Sequence, residues 1–213
     1  MNTLLHILTK FNITIEQLEK MPVEIRDYGR NNMAELFAEL GFIVGVEIGV
    51  RDGGYSKVLM DANPKLLLYG VDPYEPHQGY RDHVRKATFE AFEKQAHEKL
   101  DGFENYHFIR DYSDKAVERF DDNSLDFVYI DGDHSFYNAT QDIELWSKKV
   151  RPGGIISGDD YFKHKGNARI HVYQVVNGYT EAWGIRPWFV VGSKAIIPGE
   201  IRDHGRSWFW VKK

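Results

Sequence analysis

Two apolar runs in the stretch LDFVYIDGDHSFYNATQDIELWSKKVRPGGIISGDDY, residues 125–161, stop abruptly at acids. Phe127-Val128-Tyr129-Ile130 ends at Asp131-Gly132-Asp133-His134, and Ile155-Ile156-Ser157-Gly158 ends at Asp159-Asp160. If the runs are neighbouring strands, Asp131, Asp159 and Asp160 meet at one sheet edge, where clustered anions repel and require a positive partner. A hard divalent cation, most simply Mg²⁺, takes oxygen ligands, leaves positions open for a hydroxyl, and acidifies it. Each acidic pair taken alone also reads as an Asx turn or a cap. Their joint position at two strand ends favours chemistry.

Upstream, Glu47-Ile48-Gly49-Val50-Arg51-Asp52-Gly53-Gly54-Tyr55-Ser56 follows another short apolar run. Gly49 and Gly53 permit a tight turn with a ligand lying against the backbone. The dinucleotide spacing G-x-G-x-x-G is absent, which argues against a pyrophosphate and hence a nicotinamide oxidoreductase. Glu47 suits a ligand bearing an ammonium or hydroxyls. The next run ends in Val71-Asp72-Pro73-Tyr74, where the two oxygens of Asp72 match paired ribose hydroxyls, or where Asp72 simply starts a turn. Arg110-Asp111-Tyr112-Ser113-Asp114 offers polar groups to an adenine edge, or a cap to the following helix.

These residues need a scaffold that aligns strand ends. Residues 3–40 repeat apolar positions at helical spacing, with a Thr14–Gln17 capping signal and a stop at Gly41, and read as two or three helices. Strands are expected at 42–48, 66–71, 106–109, at Phe127 and at Ile155, the last after a Pro152-Gly153-Gly154 turn. Helices are expected at 88–100, 115–120 and 138–149. This alternation predicts a doubly wound α/β sheet whose strand ends carry the site. Trp188-Phe189-Val190-Val191 and Ser207-Trp208-Phe209-Trp210-Val211 predict an antiparallel pair at the sheet edge.

The 213 residues, 42% hydrophobic, suffice for one domain. A net charge of −5 without a basic block makes nucleic acid an unexpected partner. The absence of cysteine removes thiolate metal sites and suits a reducing compartment. No stretch has the length of a membrane span and no leader is evident, so a soluble cytoplasmic protein is expected.

The order Glu47-x-Gly49-x-x-x-Gly53, then Asp72, then Asp111-Tyr112-Ser113 resembles the class I S-adenosylmethionine-dependent methyltransferases over residues 42–211. The resemblance implies a Rossmann-like seven-stranded sheet with a reversed last strand, in a single domain preceded by a helical extension, 1–40. By family position Glu47, Gly49 and Gly53 line the methionine side of the cofactor, Asp72 the ribose, and Asp111, Tyr112 and Ser113 the adenine, with Asp131 beside the cofactor. Tyr55-Ser56 matches a Tyr-Ser pair of catechol O-methyltransferase-like members. The later acids resemble those of metal-dependent O-methyltransferases, both catechol type and bacterial sugar and macrolide type. Carried over, Asp131, Asp159 and Asp160 are the Mg²⁺ ligands and Asp133 the base, while His134 stands where the catechol branch has lysine; the base is thus Asp133 or His134.

The resemblance implies methylation of a hydroxyl on a small molecule, with a sugar or glycosylated metabolite favoured over a catechol. Its rivals are metal-independent N-methylation, in which the acids hold an amine, and a non-catalytic nucleoside-binding module. The segment Tyr74–Gln95, with His77, Tyr80, Arg81 and His83, is read as a lid beside the substrate entrance, as are the N-terminal helices and Tyr179–Trp188. Lys163 and His164 are read as a solvated or substrate-facing loop. Helix-rich N-termini mediate dimers in such proteins, which makes a homo-oligomer an expectation for that region.

Overall fold

A computed structural model describes residues 2–76, 85–163 and 170–213. The readings made for His77, Tyr80, Arg81, His83 and His164 lie outside the described residues.

The chain opens with α1 (Thr3–Lys10), α2 (Ile15–Leu18), β1 (Val23–Ile25) and α3 (Arg30–Glu39). The Thr14–Gln17 signal forms a capping box on α2. Then come β2 (Val44–Ile48), α4 (Gly54–Ala62), β3 (Leu67–Val71), α5 (Lys86–Leu100), β4 (Tyr106–Ile109) and the single turn α6 (Ser113–Ala116), extended by a 3-10 turn at Val117–Arg119. The remainder is β5 (Leu125–Ile130), α7 (Phe136–Lys149), β6 (Val150–Gly158), α8 (Val172–Ala182), β7 (Trp188–Val191) and β8 (Trp208–Val211).

The strands form one sheet in the order β1-β7-β8-β6-β5-β2-β3-β4. All neighbours are parallel except β8, which runs antiparallel to β6 and β7. This is a doubly wound, Rossmann-like α/β sheet, the expected seven strands with the last reversed, extended by an eighth. The extra strand, β1, belongs to the 1–40 region expected to be wholly helical, and it pairs in parallel with β7, Val23 opposite Phe189. Three residues are too few to show period-2 alternation, so sheet pairing rather than local pattern makes this strand. The expected Pro152-Gly153-Gly154 turn is instead an irregularity inside β6, where Leu125 pairs with Val150 and Phe127 with Ile155. Helix α8 follows Val172, Val175, Val176 and Thr180, a buried stripe at helical spacing that the sequence reading passed over.

Apolar layers cover both faces. On one, Phe37 of α3, Phe42 and Phe127 of β5 stack, the first and last with ring centroids 4.2 Å apart. On the other, Trp146 of α7 and Val175 and Val176 of α8 pack on β5 and β6. Burial on both faces explains why β5 reads as an unbroken apolar run. Among the described residues no helix is long and apolar enough to cross a membrane.

The register aligns the site. Ile48 pairs with Val71 and with Ile130, Val71 with Ile109, and Ile130 with Gly158. Gly49, Asp72, Asp131 and Asp159 therefore each stand one residue past a shared line of strand ends. The chain reverses its direction of growth between β2 and β5, and at such a switch point a crevice opens beyond the carboxyl edge.

Candidate active site

A cavity of about 1170 Å³ occupies that crevice, large enough for a nucleoside cofactor together with a small acceptor. Of the residues singled out in the sequence, Gly49, Asp72, Tyr112, Ser113, Asp131, Asp133, His134, Asp159 and Asp160 line it.

At one end, the Asp72 carboxylate accepts from the Tyr74 amide through Oδ1 (2.8 Å) and from the Arg51 amide through Oδ2 (2.9 Å). Both donors have left-handed backbones, Arg51 with φ 54° and Tyr74 with φ 48°. Such conformations cost energy for residues with side chains and concentrate at functional sites. Burial nevertheless pushes the Asp72 carboxyl above its ordinary range. The anchored carboxylate retains lone pairs for a diol. Gly49, with φ 88°, crosses so close to β5 that a Cβ would overlap the Asp131 carbonyl. Gly49→Ala is thus expected to unfold the protein at lower denaturant concentration, by roughly 2 kcal/mol or more, in urea titrations.

Glu47, Gly53, Tyr55, Ser56 and Asp111 are not among the cavity-lining residues. Glu47 is buried beneath the loop, where it accepts a hydrogen bond from Ser56, whose hydroxyl also meets that of Tyr106 at 3.1 Å. Gly53 faces Leu100 and Ala96 of α5, and the ring of Tyr55 packs on Tyr129. The side chain of Asp111 is drawn outward by Arg119, 2.7 Å away. Ser113 does reach the cavity, and its hydroxyl donates to Asp142 of α7 at 2.5 Å. Asp142 is buried, lines the same cavity, and is pushed up to about 7 by desolvation. It lies on a helix, away from any strand-end signal, and the sequence reading missed it.

Desolvation also pushes the Glu47 carboxyl up to about 8, against an ordinary 4.5. An acid whose folded-state pKa is raised holds its proton longer folded than unfolded, so stability falls as pH rises between those two values and levels off above them. Glu47→Gln is expected to flatten that fall, as measured by chemical denaturation at a series of pH values.

Elsewhere in the cavity the acid cluster assembles past the ends of β5 and β6, with Arg30 of α3 beside it. Asp131 directs Oδ1 toward His134 Nε2 (3.3 Å) and Oδ2 toward Arg30 Nη1 (3.4 Å). His134 Nε2 also lies 3.1 Å from Asp160 Oδ2. Asp160 has φ 60°, a third strained residue at the cavity. Asp159 points elsewhere: Oδ2 accepts from Arg30 Nη1 at 2.9 Å and Oδ1 from Ser207 at 3.2 Å, and Ser207 in turn meets Tyr129 at 2.8 Å. Asp133 Oδ1 accepts the Ser135 amide at 2.7 Å, which is the Asx turn considered for this loop.

One ligand atom each from Asp131, His134 and Asp160 lies within 4.8 Å of the others, a separation that suits a bound cation. Asp159 is not in that set. That group is two carboxylates and an imidazole, where three carboxylates were expected, and such a group would admit Mn²⁺, Fe²⁺ or Zn²⁺ as readily as Mg²⁺. Arg30 was not anticipated. It opens α3, its backbone amide donates to Asp203 at 2.8 Å, and its guanidinium lies 4.9 Å over the Tyr55 ring. Burial opposes its charge, yet the surrounding ionisable groups, Tyr129 first and then Asp159 and Asp131, outweigh burial and raise its pKa further.

Residues 46–161 match a family described as a methyltransferase domain. The chain belongs to this methyltransferase-domain family. It is 29% identical over 142 residues to protein R132 of Acanthamoeba polyphaga mimivirus, an alignment covering 65% of this chain and 60% of the viral protein. Among solved structures, it resembles the O-methyltransferase of Bacillus cereus in complex with SAH, with 16% identity and a TM-score of 0.57 over 98% of this chain and 88% of that one. It also resembles an O-methyltransferase family protein of Burkholderia thailandensis, with 14% identity and a TM-score of 0.56 over 85% of this chain and 55% of that one. These structural likenesses establish the fold.

Proposed function

We propose that this protein transfers the methyl group of S-adenosylmethionine to a hydroxyl of a small molecule, assisted by a divalent cation. The observation that carries the reading is the pairing, in one cavity, of an amide-anchored carboxylate suited to a ribose diol with an acid and imidazole cluster suited to a cation. Asp72 binds the ribose, the Gly49 turn admits the methionine portion, and Ser113 with Tyr112 borders the adenine. A nearby anion such as Asp131 also complements the sulfonium charge.

Asp131, His134 and Asp160 would hold the cation, which supplies charge for an acceptor oxygen approaching alkoxide. With His134 Nε2 turned toward Asp131 and Asp160, Asp133 on the same loop is the group assigned to take the acceptor's proton. An acceptor rich in hydroxyls, a sugar or glycosylated metabolite, suits a cavity bordered by Asn31, Asn32 and Asp203.

The test is transfer from methyl-labelled donor across a panel of polyhydroxylated acceptors, before and after chelation. Activity lost on chelation and restored by Mn²⁺ or Mg²⁺ supports the reading; activity indifferent to chelation would instead give the acids to an amine acceptor. The two neighbouring candidates for the base separate in the same assay. Asp133→Asn is expected to lower kcat by about 10²-fold with cation binding intact, whereas His134→Asn is expected to weaken cation binding as read by calorimetry.

A further inference from the structure

We propose that Arg30 is the resident counter-cation of the acid cluster, and that it divides the cluster into a fixed half containing Asp159 and an exchangeable half formed by Asp131, His134 and Asp160. This rests on the cation reading above and specifies which residues converge on that cation.

The division follows from where each oxygen points. Asp159 spends both oxygens on protein donors, Oδ2 on Arg30 and Oδ1 on Ser207, and its side chain is only 9% exposed. Neither oxygen faces His134 or Asp160 closely enough to join the convergent set. Asp131 is shared, with Oδ2 turned to Arg30 and Oδ1 to His134. A carboxylate divided in this way is oriented by the guanidinium, which leaves one oxygen in the open half.

Arg30 is itself held from three directions. Its amide donates to Asp203, its carbonyl accepts from the Tyr55 hydroxyl at 3.1 Å, and its guanidinium covers the Tyr55 ring. Both carboxylates meet the same nitrogen, Nη1, so one end of the fixed guanidinium bridges Asp131 and Asp159. It also makes the start of α3, and through Asp203 the loop between β7 and β8, part of the active-site wall. Arg30 is therefore a positioning residue, acting through Asp131 and Asp159.

A fixed positive charge a few ångströms from a divalent cation repels it, so Arg30 should tune the affinity of the open half downward. The experiment is Mn²⁺ binding to the full chain, followed by electron paramagnetic resonance and calorimetry, in wild type and in the Arg30→Met, Arg30→Lys, Asp159→Asn and Asp160→Asn variants. Thermal melts identify any variant that fails to fold, and Arg30→Lys keeps the charge where Arg30→Met does not. The expected result is Mn²⁺ binding at least tenfold tighter in Arg30→Met, within about threefold of wild type in Arg30→Lys, weakened but retained in Asp159→Asn, where the guanidinium loses its counter-charge, and lost in Asp160→Asn. Unchanged or weaker binding in Arg30→Met, or loss in Asp159→Asn, would overturn the assignment. If wild type takes up no Mn²⁺ but Arg30→Met does, the cation-assisted reading fails while the role of Arg30 as counter-cation stands.

Discussion

Asp72→Ala is expected to weaken binding of S-adenosylhomocysteine by about 100-fold or more, the largest effect on affinity of any single change in the cavity. Hydrogen bonds to a charged acceptor contribute about 1.5–3 kcal/mol each, and Asp72 is assigned two of them to the ribose. The Arg51 and Tyr74 amides fix the carboxylate plane, so its orientation is set before the ligand arrives. Asp72→Asn should do nearly as much damage. Its amide nitrogen would face one of those two backbone N–H groups, donor against donor, and the side chain would have to rotate or leave its site. Isothermal titration of S-adenosylhomocysteine into the three proteins measures this directly. Affinities within threefold of one another would place the ribose elsewhere.

Asp131→Asn should cost more in rate than in binding, lowering kcat by about 10³-fold. Arg30 and His134 both address this one carboxylate, so neutralising it loosens the fixed and the open halves of the cluster together. Damage to the fold should be smaller, because the Asp131 backbone is anchored independently by its amide donating to the Ile48 carbonyl at 2.8 Å. Initial rates with labelled donor, set beside urea titrations, separate the two effects. A large fall in stability with kcat per folded molecule unchanged would mean that Asp131 is structural. Chelation of the wild-type protein should reproduce much of the loss in rate, and the Asp131→Asn protein should be nearly insensitive to chelator.

The strand-end residues were legible in the sequence because burial on both faces makes β2, β3, β5 and β6 apolar up to the point where they emerge at the sheet's carboxyl edge. An acid directly after such a run is conspicuous. Gly49, Asp72, Asp131, Asp133, His134, Asp159 and Asp160 were all found in this way, and all line the cavity. So was the antiparallel pairing of β7 and β8, because a tryptophan-rich strand followed β7 without an intervening helix, although β1 rather than this pair forms the sheet edge.

Which of these residues face one another was decided by the tertiary structure alone. Arg30 lies 101 positions from Asp131 and 129 from Asp159, and in the sequence it is one arginine among many, with no local pattern to mark it. Asp111 and Asp142 show the same limit. Both are acids near the expected adenine region, yet Arg119 draws the first away while α7 carries the second in beneath Ser113. Glu47 and Ser56 flank the glycine loop in sequence, but the turn sends both side chains under it, into a buried hydrogen bond with each other. Local pattern determines where a chain turns from apolar to polar, since burial acts on each strand separately. The partner of a charge is set by side-chain direction and by contacts between distant segments, and these exist only once the sheet and its covering helices have assembled.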